Sequence, residues 1–183
     1  VTNPADPRLT ASLRLPAVGQ DLYLLPGSGE ERTLVLLTKN WGANSGDRTR
    51  INVVKLSGGD VEITHTVDVP GYLSDSRMFG NRLILATTEW NQSDGDGNVS
   101  WDVKSHLNEW VISPDKAPKA DGETEIEGDN PVIAAGPDWL AVAVNPKNRW
   151  NISEVSVFLE NEDPFSNKED ILLYDNGISN KAA

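Results

Sequence analysis

An acid–base pair and a run of aspartates are the parts of this chain whose residue types and spacing could do chemistry. In Leu73-Ser74-Asp75-Ser76-Arg77-Met78-Phe79, Asp75 and Arg77 stand two positions apart, so on a strand they share a face. Such a pair can bind a charged ligand or serve an acid/base role, and it is also an ordinary structural ion pair. In Asp94-Gly95-Asp96-Gly97-Asn98-Val99-Ser100-Trp101-Asp102, the residues Asp94, Asp96, Asn98 and Asp102 fall at positions 1, 3, 5 and 9 of a calcium-loop pattern. That spacing lets alternate oxygens converge on a hard cation. Position 6 is Val99 and position 12 is Ser105, where an EF-hand uses glycine and a bidentate glutamate. A solvated turn rich in Asp and Gly accounts for the same residues. Calcium is the one cofactor the pattern suggests.

Composition removes most other chemistry. With no Cys and two His, His65 and His106, the chain has no disulfide, thiol nucleophile or thiolate metal site and little material for zinc or a histidine relay. Lys and Arg number 16 against 28 Asp and Glu, a net charge of −12, so a phosphate backbone is repelled and nucleic acid is excluded as a partner. No apolar run approaches the roughly 20 residues of a transmembrane helix. His65 falls on a strand of alternating polarity and His106 at the start of another, both read as unremarkable positions.

The elements that must position these residues come as a repeat. Thr33-Leu34-Val35-Leu36-Leu37-Thr38-Lys39-Asn40-Trp41, Arg82-Leu83-Ile84-Leu85-Ala86-Thr87-Thr88-Glu89-Trp90 and Trp139-Leu140-Ala141-Val142-Ala143-Val144-Asn145-Pro146 align, the last reaching its tryptophan at Trp150. Leu34 to Leu83 is 49 positions and Leu83 to Leu140 is 57. Each run is short, β-rich and nearly continuously apolar, which suits a strand covered on both faces. One strand candidate precedes each run and two follow it, with no helical period. Four strands per unit of about 50 residues is the signature of propeller blades. The fold expected is all-β: three four-stranded antiparallel propeller blades, with a β-sandwich as the alternative. The units span 21–69, 70–128 and 129–176, between an N-terminal lead, 1–20, and a tail, 177–183. Propellers close with about four to eight blades. The three expected here are therefore part of a larger propeller, in cis, or are completed by a second copy of the chain.

Thr49-Arg50-Ile51-Asn52-Val53-Val54-Lys55-Leu56, followed by Val67-Asp68-Val69-Pro70-Gly71-Tyr72-Leu73-Ser74-Asp75-Ser76-Arg77-Met78-Phe79-Gly80-Asn81-Arg82-Leu83-Ile84-Leu85, resembles the secreted bacterial and archaeal β-propeller-domain family. The likeness covers about Thr33 to Trp90, a third of the chain. It implies an extracytoplasmic protein, secreted, periplasmic or at the cell surface, and longer than this chain. It brings no established reaction and no catalytic residue.

Connections between the second and third strands of each unit, Gly42 to Thr49, Asn91 to Lys104 and Pro146 to Ser153, are expected as long loops on one rim, where recognition usually resides. That rim would carry Trp41, Trp90, Trp101 and Trp150, whose broad amphipathic rings suit a carbohydrate or peptide ligand. Recurrence of Trp41, Trp90 and Trp150 at one repeat position equally describes packing between units, as do Trp110 and Trp139 within strands. The function expected is a non-catalytic binding or scaffold module of a secreted or cell-envelope protein. The alternative is a polysaccharide hydrolase or lyase using acids such as Asp75 and Asp129, which needs two carboxyls roughly 5–10 Å apart.

Overall fold

The computed structural model describes residues 5, 9, 11–15, 17–27, 31–42, 46–95, 98–136, 139–145, 152–159, 168–174 and 177–179. Its strands are β1 (Val18–Leu24), β2 (Arg32–Gly42), β3 (Gly46–Ser57), β4 (Asp60–Pro70), β5 (Tyr72–Phe79), β6 (Arg82–Gly95), β7 (Asn98–Ser113), β8 (Lys116–Ile126), β9 (Asp129–Ala135), β10 (Trp139–Asn145), β11 (Ile152–Leu159), β12 (Lys168–Tyr174) and β13 (Gly177–Ser179). They form three antiparallel sheets in chain order, β1-β2-β3-β4, β5-β6-β7-β8 and β9-β10-β11-β12-β13. Among the described residues there is no helix, and so none long and apolar enough to cross a membrane.

Four strands were expected in the last unit, and the sheet has five. Gly177–Ser179, placed in the tail by sequence, pairs with the outer edge of β12, Leu172 opposite Ser179. An unpaired strand edge is a template for any extended segment beside it, whatever that segment's side chains. The first strand likewise begins earlier than its apolar residues indicate, at Val18.

Alternation along the second strand of each sheet stacks the sheets. In β6, Leu83 and Leu85 join Val35 and Leu37 of β2 and Ile51 and Val53 of β3 in one core. The intervening Ile84 and Ala86 join Leu140, Val142 and Val144 of β10 and Ile133 of β9 in a second. Opposite side-chain directions of successive residues make one strand serve two cores. Coverage of both faces, expected for all three apolar runs, therefore holds for β6 alone. In β10 only alternate residues are buried, and in β2 Leu34 and Leu36 stay half-buried while Val35, Leu37 and Thr38 are buried, because Leu34 and Leu36, and Ala141 and Ala143, face away from the middle sheet.

Two glycines set the crossings between sheets. Gly71 (φ 80°) and Gly128 (φ 127°) occupy conformations that L side chains rarely adopt, as glycine alone does at little cost. A Cβ on Gly71 would lie 3.0 Å from the Thr88 carbonyl oxygen, and one on Gly128 2.7 Å from that of Asn145. Thr88 and Asn145 each stand five residues after the aligned leucines Leu83 and Leu140, so both crossings press on the same point of the next sheet.

The expected long loops are largely strand. Pairing between β2 and β3 continues to Gly42 opposite Gly46, and that between β6 and β7 runs from Asn91 opposite Asp102 to Gly95 opposite Asn98. Polar composition made these segments look like loops, yet backbone pairing is indifferent to side-chain polarity. In the third unit residues 146–151 lie outside the described set.

Candidate functional site

Polar side chains converge where the first strands of the three sheets, β1, β5 and β9, come together. Registers make their positions equivalent: Asp21 stands opposite Leu37, Asp75 opposite Ala86 and Val132 opposite Ala143. Each of those partners lies three residues after an aligned leucine. A register shift interrupts each first strand just before or at this position, and such bulges re-aim side chains.

At the first junction the Ser76 hydroxyl donates to Asp21 Oδ2, and Tyr23 Oη lies 2.7 Å from Ser76 Oγ and 2.9 Å from the Ser76 carbonyl oxygen. With the serine proton committed to the carboxylate, the phenol is the donor to Ser76. Burial pushes the Tyr23 phenol above its ordinary value; the hydrogen bond to Ser76 opposes this, while the charges of Asp21 and Asp75 reinforce it. At the second junction Asp75 Oδ2 accepts the Ile133 amide at 2.8 Å. Its Oδ1 accepts the Ser76 amide at 2.8 Å and Arg77 Nη1 at 2.6 Å. Arg77 also donates to the Ser76 carbonyl at 2.6 Å.

Sequence reasoning brought Asp75 and Arg77 together, and the structure pairs them. Asp75 is engaged through both oxygens, two of its three partners being backbone amides. Chemically this is a clasp: a carboxylate presented by one sheet holds the first strand of the next. Reasoning from sequence missed Asp21, Tyr23 and Ser76. The equivalence of Asp21 to Asp75 exists only in the strand registers, since Asp21 stands 13 residues before Leu34 and Asp75 stands 8 before Leu83, and Leu22-Tyr23-Leu24-Leu25 draws attention to its apolar residues.

Two further stitches recur. Thr49 Oγ1 donates to the Gly71 carbonyl at 3.0 Å and Ser105 Oγ to that of Gly128 at 2.8 Å. Asn52 Nδ2 donates to Thr38 Oγ1 at 3.2 Å and Asn108 Nδ2 to Thr87 Oγ1 at 3.3 Å. An ion pair between half-buried Arg82 and buried Glu109, at 2.5 Å, lies on the face of the middle sheet turned to the third.

The other candidates are dispersed. Trp90 is 43% exposed beside the β6–β7 hairpin. Trp41 and Trp101 sit on hairpin strands; their side chains, and Trp150 altogether, lie outside the described residues. Trp110 packs on the first core, its indole N–H buried without a partner. Trp139, read as a packing residue, is 42% exposed and lies over Gly136. Of the calcium quartet, Asp94 and Asn98 flank the hairpin tip, with side chains outside the described residues, as is Asp96. Asp102 pairs with Asn91, four rungs away, a separation of about 13 Å along the strand. Among the described residues no three His, Cys, Asp or Glu gather as a metal site. His106 is held through Nδ1 by Glu123 at 3.1 Å, with Nε2 buried and without a partner.

Comparison of the chain with known protein families and with curated proteins finds no match in either.

Proposed function

We propose that this chain is a non-catalytic β-propeller segment of a secreted or cell-envelope protein, serving as a binding or scaffold module, in keeping with its resemblance to the secreted β-propeller-domain family. The observation that carries the reading is recurrence of the same stitches at equivalent positions of successive sheets. Hydroxyl to crossing glycine, asparagine to threonine, and alternate residues of one strand feeding two cores are what blades arranged about a common axis require. Strands β1, β5 and β9 are then the innermost, and the Asp75–Arg77 pair borders the channel.

The engagement of Asp75 supports a structural rather than catalytic role, because a general acid or base needs a free oxygen aimed at substrate. Recognition belongs to the hairpin rim carrying Trp90, with a carbohydrate or peptide as ligand. Binding of glycan and peptide arrays, followed by tryptophan fluorescence, tests this: binding without turnover, weakened in Trp90→Ala, is expected. Release of new reducing ends from a polysaccharide would overturn it in favour of a hydrolase, and new unsaturated ends in favour of a lyase.

A further inference from the structure

The two end sheets present the two halves of one interface. At each internal seam, one set of alternate residues on a sheet meets the complementary set on the next: Val35 and Leu37 against Leu83 and Leu85, then Ile84 and Ala86 against Leu140 and Val142. The sets left over are Leu34 and Leu36, with Leu22 and Leu24, on the outer face of the first sheet, and Ala141 and Ala143, with Val132 and Trp139, on the outer face of the third. By the repeat these are the sets that would meet next.

Side-chain size and polarity agree. The first sheet offers leucines and the third, along β10, alanines, so projecting side chains face a shallow surface. Leu22 and Leu24 are each 60% exposed and Val132 57%, more than single scattered apolar residues need explain. The inner-strand contacts point the same way. Internally, the equivalent pairs are Asp21 with Ser76 and Asp75 with Ile133, each joined by a hydrogen bond. The corresponding pair across the ends is Val132 with Leu22, apolar on both sides.

We infer that the outer face of the third sheet docks on the outer face of the first sheet of a second copy of this chain, head to tail. Two such contacts close a ring of six sheets, within the range of about four to eight for propellers. The inference rests on the propeller reading. A contact of this heterologous kind closes only if the rotation per sheet suits the ring, and otherwise continues into a filament.

The absence of cysteine makes the test direct. Leu22→Cys with Val132→Cys, treated with a short thiol cross-linker, is expected to give a covalent dimer on a denaturing gel. Light scattering of the unmodified chain is expected to give twice 19.9 kDa, more completely as salt screens the net charge of −12. Leu22→Lys and Val132→Lys, both at exposed positions, are each expected to be monomeric alone and to pair when mixed through the one intact contact. A head-to-head dimer would survive one of the two substitutions and overturn the inference, as would cross-linking of Leu22→Cys to Val132→Cys within one chain or a monomeric mass at all concentrations. In parallel, Asp21→Cys with Ser76→Cys reports the internal order of sheets. If that pair links within a chain that stays monomeric, the second copy is wrong and the propeller reading stands with other sheets as the occupant. If it does not link, the propeller reading itself fails.

Discussion

The two seams of this molecule solve one geometrical problem with different chemistry. Between the first and second sheets, the carboxylate of Asp21 reaches a side chain, the Ser76 hydroxyl, which Tyr23 also holds. Between the second and third, the equivalent carboxylate of Asp75 reaches the backbone, the Ile133 amide. The core beside the first seam has larger residues at two positions, where Leu37 and Leu85 are fully buried; beside the second, Ala86 and Val142 take their places. A repeat thus conserves position and direction while leaving atoms free to vary. A removable hydroxyl and an irremovable amide should respond differently to mutation.

The largest effect is expected in the cores. Leu85→Ala in the first seam and Leu140→Ala in the second should each cost about 2–5 kcal/mol, read from urea unfolding. A loss at Leu140 well below that at Leu85 would show that the smaller residues of the second seam close more readily over a cavity. Next come the clasps. Asp75→Ala strands the buried Ile133 amide and should cost about 1–3 kcal/mol, whereas Ser76→Ala removes one hydrogen-bonding side chain and should cost about 0.5–1.5 kcal/mol. Equal losses would mean that both seams depend on side chains alone.

The smallest effect confines itself to the first seam and to alkaline pH. The Tyr23 phenol is raised above 10.0 chiefly by burial. The folded state therefore holds its proton more tightly than the unfolded chain, and the unfolded chain loses it first. This stabilisation is complete below pH 10 and is lost as pH rises from there through the folded value. Tyr23→Phe should flatten the alkaline limb of stability against pH while leaving the neutral region nearly level, measured by denaturant titration at each pH. An unchanged limb would place the titration elsewhere.

How far the fold could be read ahead depended on whether a feature is local. The apolar runs at Leu34, Leu83 and Leu140 marked the central strands because a short, nearly continuous apolar stretch is a property of a few adjacent residues. The hairpins at Asn91 to Asp102 did not show, since pairing uses backbone atoms that every residue carries. The Asp75–Arg77 pair was legible because two positions on one strand share a face. Its true partners were not, because Ile133 is 58 residues away and no periodicity announces an amide.

By itself the amino-acid sequence determined the all-β class, the three-fold recurrence and the absence of thiol chemistry, for these follow from residue types and short-range spacing. Only the tertiary structure decided which alternate residues are covered, that Asp75 is engaged by backbone amides, and that leucine and alanine sets face away from the middle sheet at opposite ends. Those depend on which sheet lies beside which, a relation between residues some 50 positions apart that is set by packing rather than by neighbours in the chain.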